Sequence, residues 1–290
     1  MLHIRPVSEG RANEKVQEVY KDIKATFEVD VVPLLFQYLA GFEEYFFYAW
    51  DKIKRNVESK YFKEAAEEIA AFGNETIPEV YEPSLFLEQF VKELPEDEIH
   101  KLKEIIQNLQ KINSQLLLLT IGMREGLKGV HIGREFLLQE NGGEMYEEIF
   151  DQFINNKIMR ENLANEKDLE GASKMLAPLF GSDSLQVVRY PEFFGKIALE
   201  MQELIKSELY LGTRVGLERV GVMMVGHFSY PLGTSYQEIA TFAGKKPYFH
   251  ELLYILSETF PTNFPRLVLT TSVMKSVLNP KKISREIENI

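Results

Sequence analysis

The sequence predicts an all-α protein built from two diverged copies of one helical unit. Three observations predict it. Apolar residues recur at helical spacing along most of the chain. No stretch sustains the apolar/polar alternation of a half-buried strand. Landmarks of the first half return about 150 residues later.

The elements follow in order. Val16, Val19, Tyr20, Ile23 and Phe27 mark one face of a helix, and Leu34 to Ala40 is a short apolar piece. Phe42, Tyr45, Phe46, Ala49, Trp50, Ile53 and Val57 mark the next helix. Its aromatic run, Tyr45-Phe46-Phe47-Tyr48-Ala49-Trp50, goes all round the axis and predicts burial on most sides, Trp50 included. Phe62, Ala65, Ala66 and Ile69 mark a further helix. Residues 96–111 form an amphipathic helix with Ile99, Leu102, Ile105, Ile106 and Leu109 inward. Pro95 and the acidic Glu96-Asp97-Glu98 suit its start, where the helix dipole favours negative charge. In the second half, residues 184–190 form the short piece, residues 193–209 the long helix and residues 252–257 part of a late helix.

The halves align in register. Phe42 with Phe193, Trp50 with Met201 and Ile53 with Leu204 share an offset of 151, and Asn113 with Asn263 and Thr120 with Thr270 one of 150. Asn141-Gly142-Gly143 interrupts the pattern between them. The predicted division is residues 1–129 as the first repeat, 130–162 as a linker with some helix, and 163–290 as the second repeat. A duplication predicts a pseudo-twofold axis with a site between the halves, made from non-equivalent residues.

Composition excludes several classes of function. The 290 residues carry a formal net charge of -11, against a nucleic-acid partner and against an anionic membrane surface. The apolar run Leu116 to Leu119 is far short of a membrane span. The chain has no cysteine, which removes disulfides, thiolate catalysis and Cys-ligated metals. A reducing, cytoplasmic location is expected, with no apolar leader in Met1-Leu2-His3-Ile4-Arg5-Pro6. None of the histidines His3, His100, His131, His227 and His250 pairs with another at i+3 or i+4, so no metal spacing appears. His100 is expected in solvent, and His227 and His250 at the edge of the core. Gly212, Gly216, Gly221 and Gly226 are spaced for close helix crossings, not for a phosphate loop. Gly244-Lys245-Lys246-Pro247 reads as an exposed loop.

Two polar residues have two readings each. Asn113 precedes the run Leu116-Leu117-Leu118-Leu119-Thr120, and Asp183 sits in Gly181-Ser182-Asp183-Ser184-Leu185. As helix N-caps they would accept hydrogen bonds from free backbone N–H groups. In a cleft between the halves, Asp183 could act as a general base and Asn113 could hold a water.

The order of these landmarks resembles the group I, DehI-type 2-haloacid dehalogenases. The resemblance rests on Tyr20-Lys21-Asp22-Ile23, Val31-Val32-Pro33-Leu34, Leu39-Ala40 and Ala49-Trp50, then Asn113 before the leucine-rich run, then Ser182-Asp183 followed by Tyr190-Pro191. It spans residues 10–278. It implies an alkylhydroperoxidase-like helical architecture of two pseudo-repeats with the active site between them. It further implies hydrolysis without a cofactor or a covalent intermediate, on a small carboxylate substrate. Asp183 would deprotonate water, Asn113 would position it and Ser182 would be a polar neighbour. Hydroxide would displace halide from C2 of either enantiomer, with inversion. Three pocket positions depart from the family: Val31 stands for a Trp, Leu34 for an aromatic residue and Phe260 for a Tyr. The resemblance is also compatible with a homodimer. A catalytically silent ligand-binding or scaffold relative is the other reading; peroxidase chemistry is excluded by the missing cysteines.

Overall fold

The computed structural model describes residues 3–133 and 190–279. All regular elements among them are helical. The Asn141-Gly142-Gly143 break, Ser182, Asp183 and nearly all of the predicted linker and second short piece lie outside the described residues.

The first half opens with α1 (Glu14–Phe27), capped by the Asn13 side chain, which accepts from the Val16 N–H. Helix α2 (Leu34–Leu39) and α3 (Glu43–Glu58) follow. Helix α4 (Lys60–Val80) starts at Ser59, whose side chain accepts from the Phe62 N–H. Helix α5 (Leu85–Glu93) begins at the cap Ser84; the sequence reading did not separate it. Helix α6 (Glu96–Leu127) is one helix of 32 residues. This corrects the expected end near Lys111 and the break at Asn113. No proline interrupts residues 96–127, and Asn113, Ser114 and Gln115 are absorbed into a helix buried on several sides.

In the second half, α7 (Pro191–Leu204) ends where a continuous helix to residue 209 was expected. The reason is Ser207, whose side chain accepts from the Tyr210 N–H and starts α8 (Glu208–Val225) afresh. Helix α9 (Tyr236–Ala243) was not foreseen. Helix α10 (Phe249–Tyr254) leads into a π turn (Ile255–Thr259) and then α11 (Phe260–Leu278). Pro261 explains the widened turn, since its ring would press on the carbonyl of Ser257 in a regular α-helix.

The core is formed by α4, α6, α8 and α11. Helix α6 packs along α11, α4 packs on α11, and α8 packs on α6. Gln110 bonds to Ser272, and the π turn before α11 packs on α6, so the two long helices run antiparallel. Close approach relies on glycines: a Cβ at Gly73 of α4 would collide with Ser272 of α11, and one at Gly221 of α8 with Ile121 of α6. Gly216 likewise meets Phe72, whereas Gly212, expected at a crossing, has open space around it. His100 is exposed as expected; His227 and His250 are exposed as well, not at the core edge.

The halves also clasp each other peripherally. The Tyr48 ring of α3 stacks on Phe242 of α9 at 4.3 Å, and its hydroxyl donates to Glu238 at 2.5 Å. On the first half's α5, Phe86 and Phe90 lie under the Lys196 ammonium of α7. Glu238 also closes a capping box with Ser235. Burial pushes the Glu238 carboxyl up, but hydrogen bonds from Ser235 and Tyr48 outweigh it and hold it below the usual glutamate range. A depressed folded value stabilises above the unfolded value of about 4.3 and loses that stabilisation as pH falls through the folded value. Glu238→Gln is therefore expected to lower the melting temperature at pH 7, with the gap to wild type narrowing by pH 3. A gap independent of pH in melting curves would refute this.

Candidate active site

The pocket positions singled out in the sequence come from two elements. Leu34 opens α2 and packs half-buried against the core. One turn later on α2, Tyr38 turns its ring edge-on to Phe260, at 6.0 Å between centroids. Phe260 is fully buried at the start of α11 and stacks on Phe264. The structure thus joins α2 to Phe260 through Tyr38. Val31, in the segment before α2, is 40% exposed. The segment entering α2 is held by Glu9, which accepts from the Val32 N–H at 3.1 Å and from Lys24 at 2.6 Å. Tyr38 went unnoticed in the sequence; its place at i+4 from Leu34 was the available signal.

Asn113 sits in the interior of α6 and is 5% exposed. Its position rules out an N-cap of α6. Its amide nitrogen is buried and has no hydrogen-bond acceptor among the described residues. Such a donor costs about 1–3 kcal/mol unless a water or ligand supplies the acceptor. Its counterpart at the offset of 150, Asn263, instead donates to the Thr259 carbonyl at 2.7 Å, inside the π turn.

A charged cluster that sequence reasoning missed joins the end of α6 to α8. Arg124 donates to Glu125 at 2.7 Å and to Glu218 at 3.3 Å, and Arg214 donates to Glu218 at 3.2 Å. Burial opposes the Arg124 charge, but Glu125 and Glu218 more than offset it and hold the guanidinium above its usual range. Burial pushes Lys128 down, partly offset by Glu125 and by Glu258 of the π turn. The cluster therefore lies at the same end of α6 as the π turn that precedes Phe260. Its signal was present, since Arg124-Glu125 closes an apolar run and Arg214 and Glu218 stand at i and i+4. Among the described residues no group of acids and histidines could hold a metal ion. None of their helices is long and apolar enough to cross a membrane.

Residues 30–144 match the family described as halocarboxylic acid dehydrogenase DehI. That match covers the part of the chain from the segment before α2 through α6. A sequence relative, an (R)-2-haloacid dehalogenase of Pseudomonas putida, is 28% identical over 129 residues, 43% of this chain and 42% of the relative. The aligned stretch thus spans under half of that relative's length. The fold is shared over a longer range. A D-2-haloacid dehalogenase in complex with L-LA superposes with a TM-score of 0.72 at 18% identity, covering 96% of this chain and 98% of its own. A mutant D-2-haloacid dehalogenase gives 0.71 at 16% identity, with 96% and 97% covered.

Proposed function

We propose that the chain is a hydrolase that releases halide from a small 2-halocarboxylic acid by direct attack of water. Asp183 takes a proton from the water, and the water oxygen bonds to C2 as the carbon–halogen bond breaks. Halide leaves with the bonding pair and the configuration at C2 inverts. Asn113 positions the water, Ser182 is a polar neighbour, and Val31, Leu34 and Phe260 line the pocket, with Tyr38 beside Phe260. No cofactor enters this scheme. The observation that carries the reading is the buried Asn113 amide nitrogen, which lacks an acceptor that a water oxygen would supply. The names of the relatives, (R)-2-haloacid and D-2-haloacid dehalogenase, support the substrate class.

The reading includes two helical repeats, residues 1–129 and 163–290. Supporting it, Ser59 and Ser207 cap α4 and α8 alike, and Ser84 and Ser235 cap α5 and α9 alike. The glycine approaches of Gly73 and Gly221 are a further matching pair.

The test is a halide-release screen over short 2-chloro and 2-bromo acids, each enantiomer separately, with chiral analysis of the 2-hydroxy acid formed. Halide release with an inverted product is expected. Release from none of them would overturn the enzymatic reading in favour of a silent ligand-binding relative. Retained configuration would overturn direct attack by water.

A further inference from the structure

A groove of about 860 Å³ opens between the end of α1, α4, α6 and the end of α11. That volume is within the range of small-molecule sites. Asn113 is not among its lining residues, and Gln115, which is, projects about 200° away from Asn113 around α6. The groove therefore opens on a different side of α6 from the proposed water site.

Its charge runs against that of the chain. Lys63, Lys103, Lys111 and Lys275 line it against Glu28 and Glu67, in a protein of net charge -11. Lys111 is engaged with Glu28 at 2.5 Å. Lys63 also acts on Glu28 and helps hold that carboxyl below the usual glutamate range, while Lys103 enters no ion pair among the described residues. The groove also reaches two buried amides. Gln110 is 5% exposed and fully used: its nitrogen donates to Asn74 at 2.7 Å and to Ser272 at 3.2 Å, and its oxygen accepts from Lys275 at 3.3 Å. Gln115 is 4% exposed, and its side-chain oxygen accepts from nothing among the described residues.

We infer that this groove is a second binding site, for a small polyanion that also carries a hydroxyl or N–H donor. The lysines supply charge-assisted hydrogen bonds to carboxylate or phosphate oxygens. A bare inorganic anion would satisfy the lysines and leave Gln115 open. A hydroxylated one supplies the missing donor, and a site built to bond a hydroxyl discriminates against the analogue lacking it. Hydroxy-polycarboxylates and sugar phosphates share this chemistry.

The two sources are separated by titration calorimetry at low ionic strength with four probes: citrate, tricarballylate (citrate without its hydroxyl), ribose 5-phosphate and sulfate (a tetrahedral dianion with no hydroxyl). Saturable one-to-one binding of citrate or ribose 5-phosphate is expected, at least about tenfold tighter than that of its hydroxyl-free counterpart. The double variant Lys63→Gln/Lys103→Gln should weaken it at least about tenfold. Gln115→Leu should erase the hydroxyl preference while raising the melting temperature, because an open buried acceptor is removed. Asp183→Asn should leave binding unchanged. No saturable binding of any probe, binding insensitive to the lysine and glutamine changes, or binding lost in Asp183→Asn would each overturn the proposal.

Discussion

Asp183→Asn is expected to lower halide release by at least about 10²-fold, the low end for removal of a general base. The change is nearly isosteric, and asparagine caps helices as well as aspartate does. It cannot take a proton from water. The variant therefore separates a chemical role from a structural one. If Asp183 acts as the base, turnover collapses while the melting temperature holds or rises, since function-bearing charges often cost stability. If Asp183 only caps a helix, both quantities stay near wild type. The informative measurements are single-turnover halide release and thermal unfolding on the same preparation.

The second large effect concerns stability. Trp50→Ala is expected to cost about 3–5 kcal/mol, as for other large core truncations. Trp50 is 5% exposed on α3, between Phe36 at 5.5 Å and Phe27 at 6.3 Å between ring centroids. Its indole N–H donates to Asp22 at 2.8 Å, and Asp22 also accepts from Lys54 at 2.7 Å. Burial pushes the Asp22 carboxyl up, but these two donors outweigh it and hold it below the usual carboxylate range. Trp50→Phe keeps most of the ring packing and loses the hydrogen bond, so about 1 kcal/mol is expected. Urea denaturation of both variants checks the pair. A loss under about 1 kcal/mol for Trp50→Ala would mean that the indole does not anchor α1 to α3.

The helical class and many helix faces were legible from local spacing. Val16, Tyr20, Ile23 and Phe27 are all buried on α1, and Tyr45, Phe46, Ala49 and Trp50 on α3, as their periodicity predicts. Boundaries were legible where a cap or breaker marks them, as at Pro95 before α6. They were missed where one serine decided the matter: Ser84 starts α5, Ser207 separates α7 from α8, and Ser235 starts α9. A serine in sequence looks the same whether its hydroxyl accepts from the third N–H ahead or faces solvent.

The candidate site divides along the same line. Sequence alone determined which residue types are available, their order, and the family they match between residues 30 and 144. Only the tertiary structure decided that Asn113 lies inside a continuous helix with its amide unpartnered, and that Tyr38 of α2 meets Phe260 of α11 across 222 positions. The same holds for the ionic cluster of Arg124, Glu125, Arg214 and Glu218, and for the Gln115 groove. The physical reason is one of range. Helix formation is governed by neighbours within about four residues, which the sequence displays directly. Desolvation of a polar group depends on every element packed around it, and those elements come from both halves of the chain.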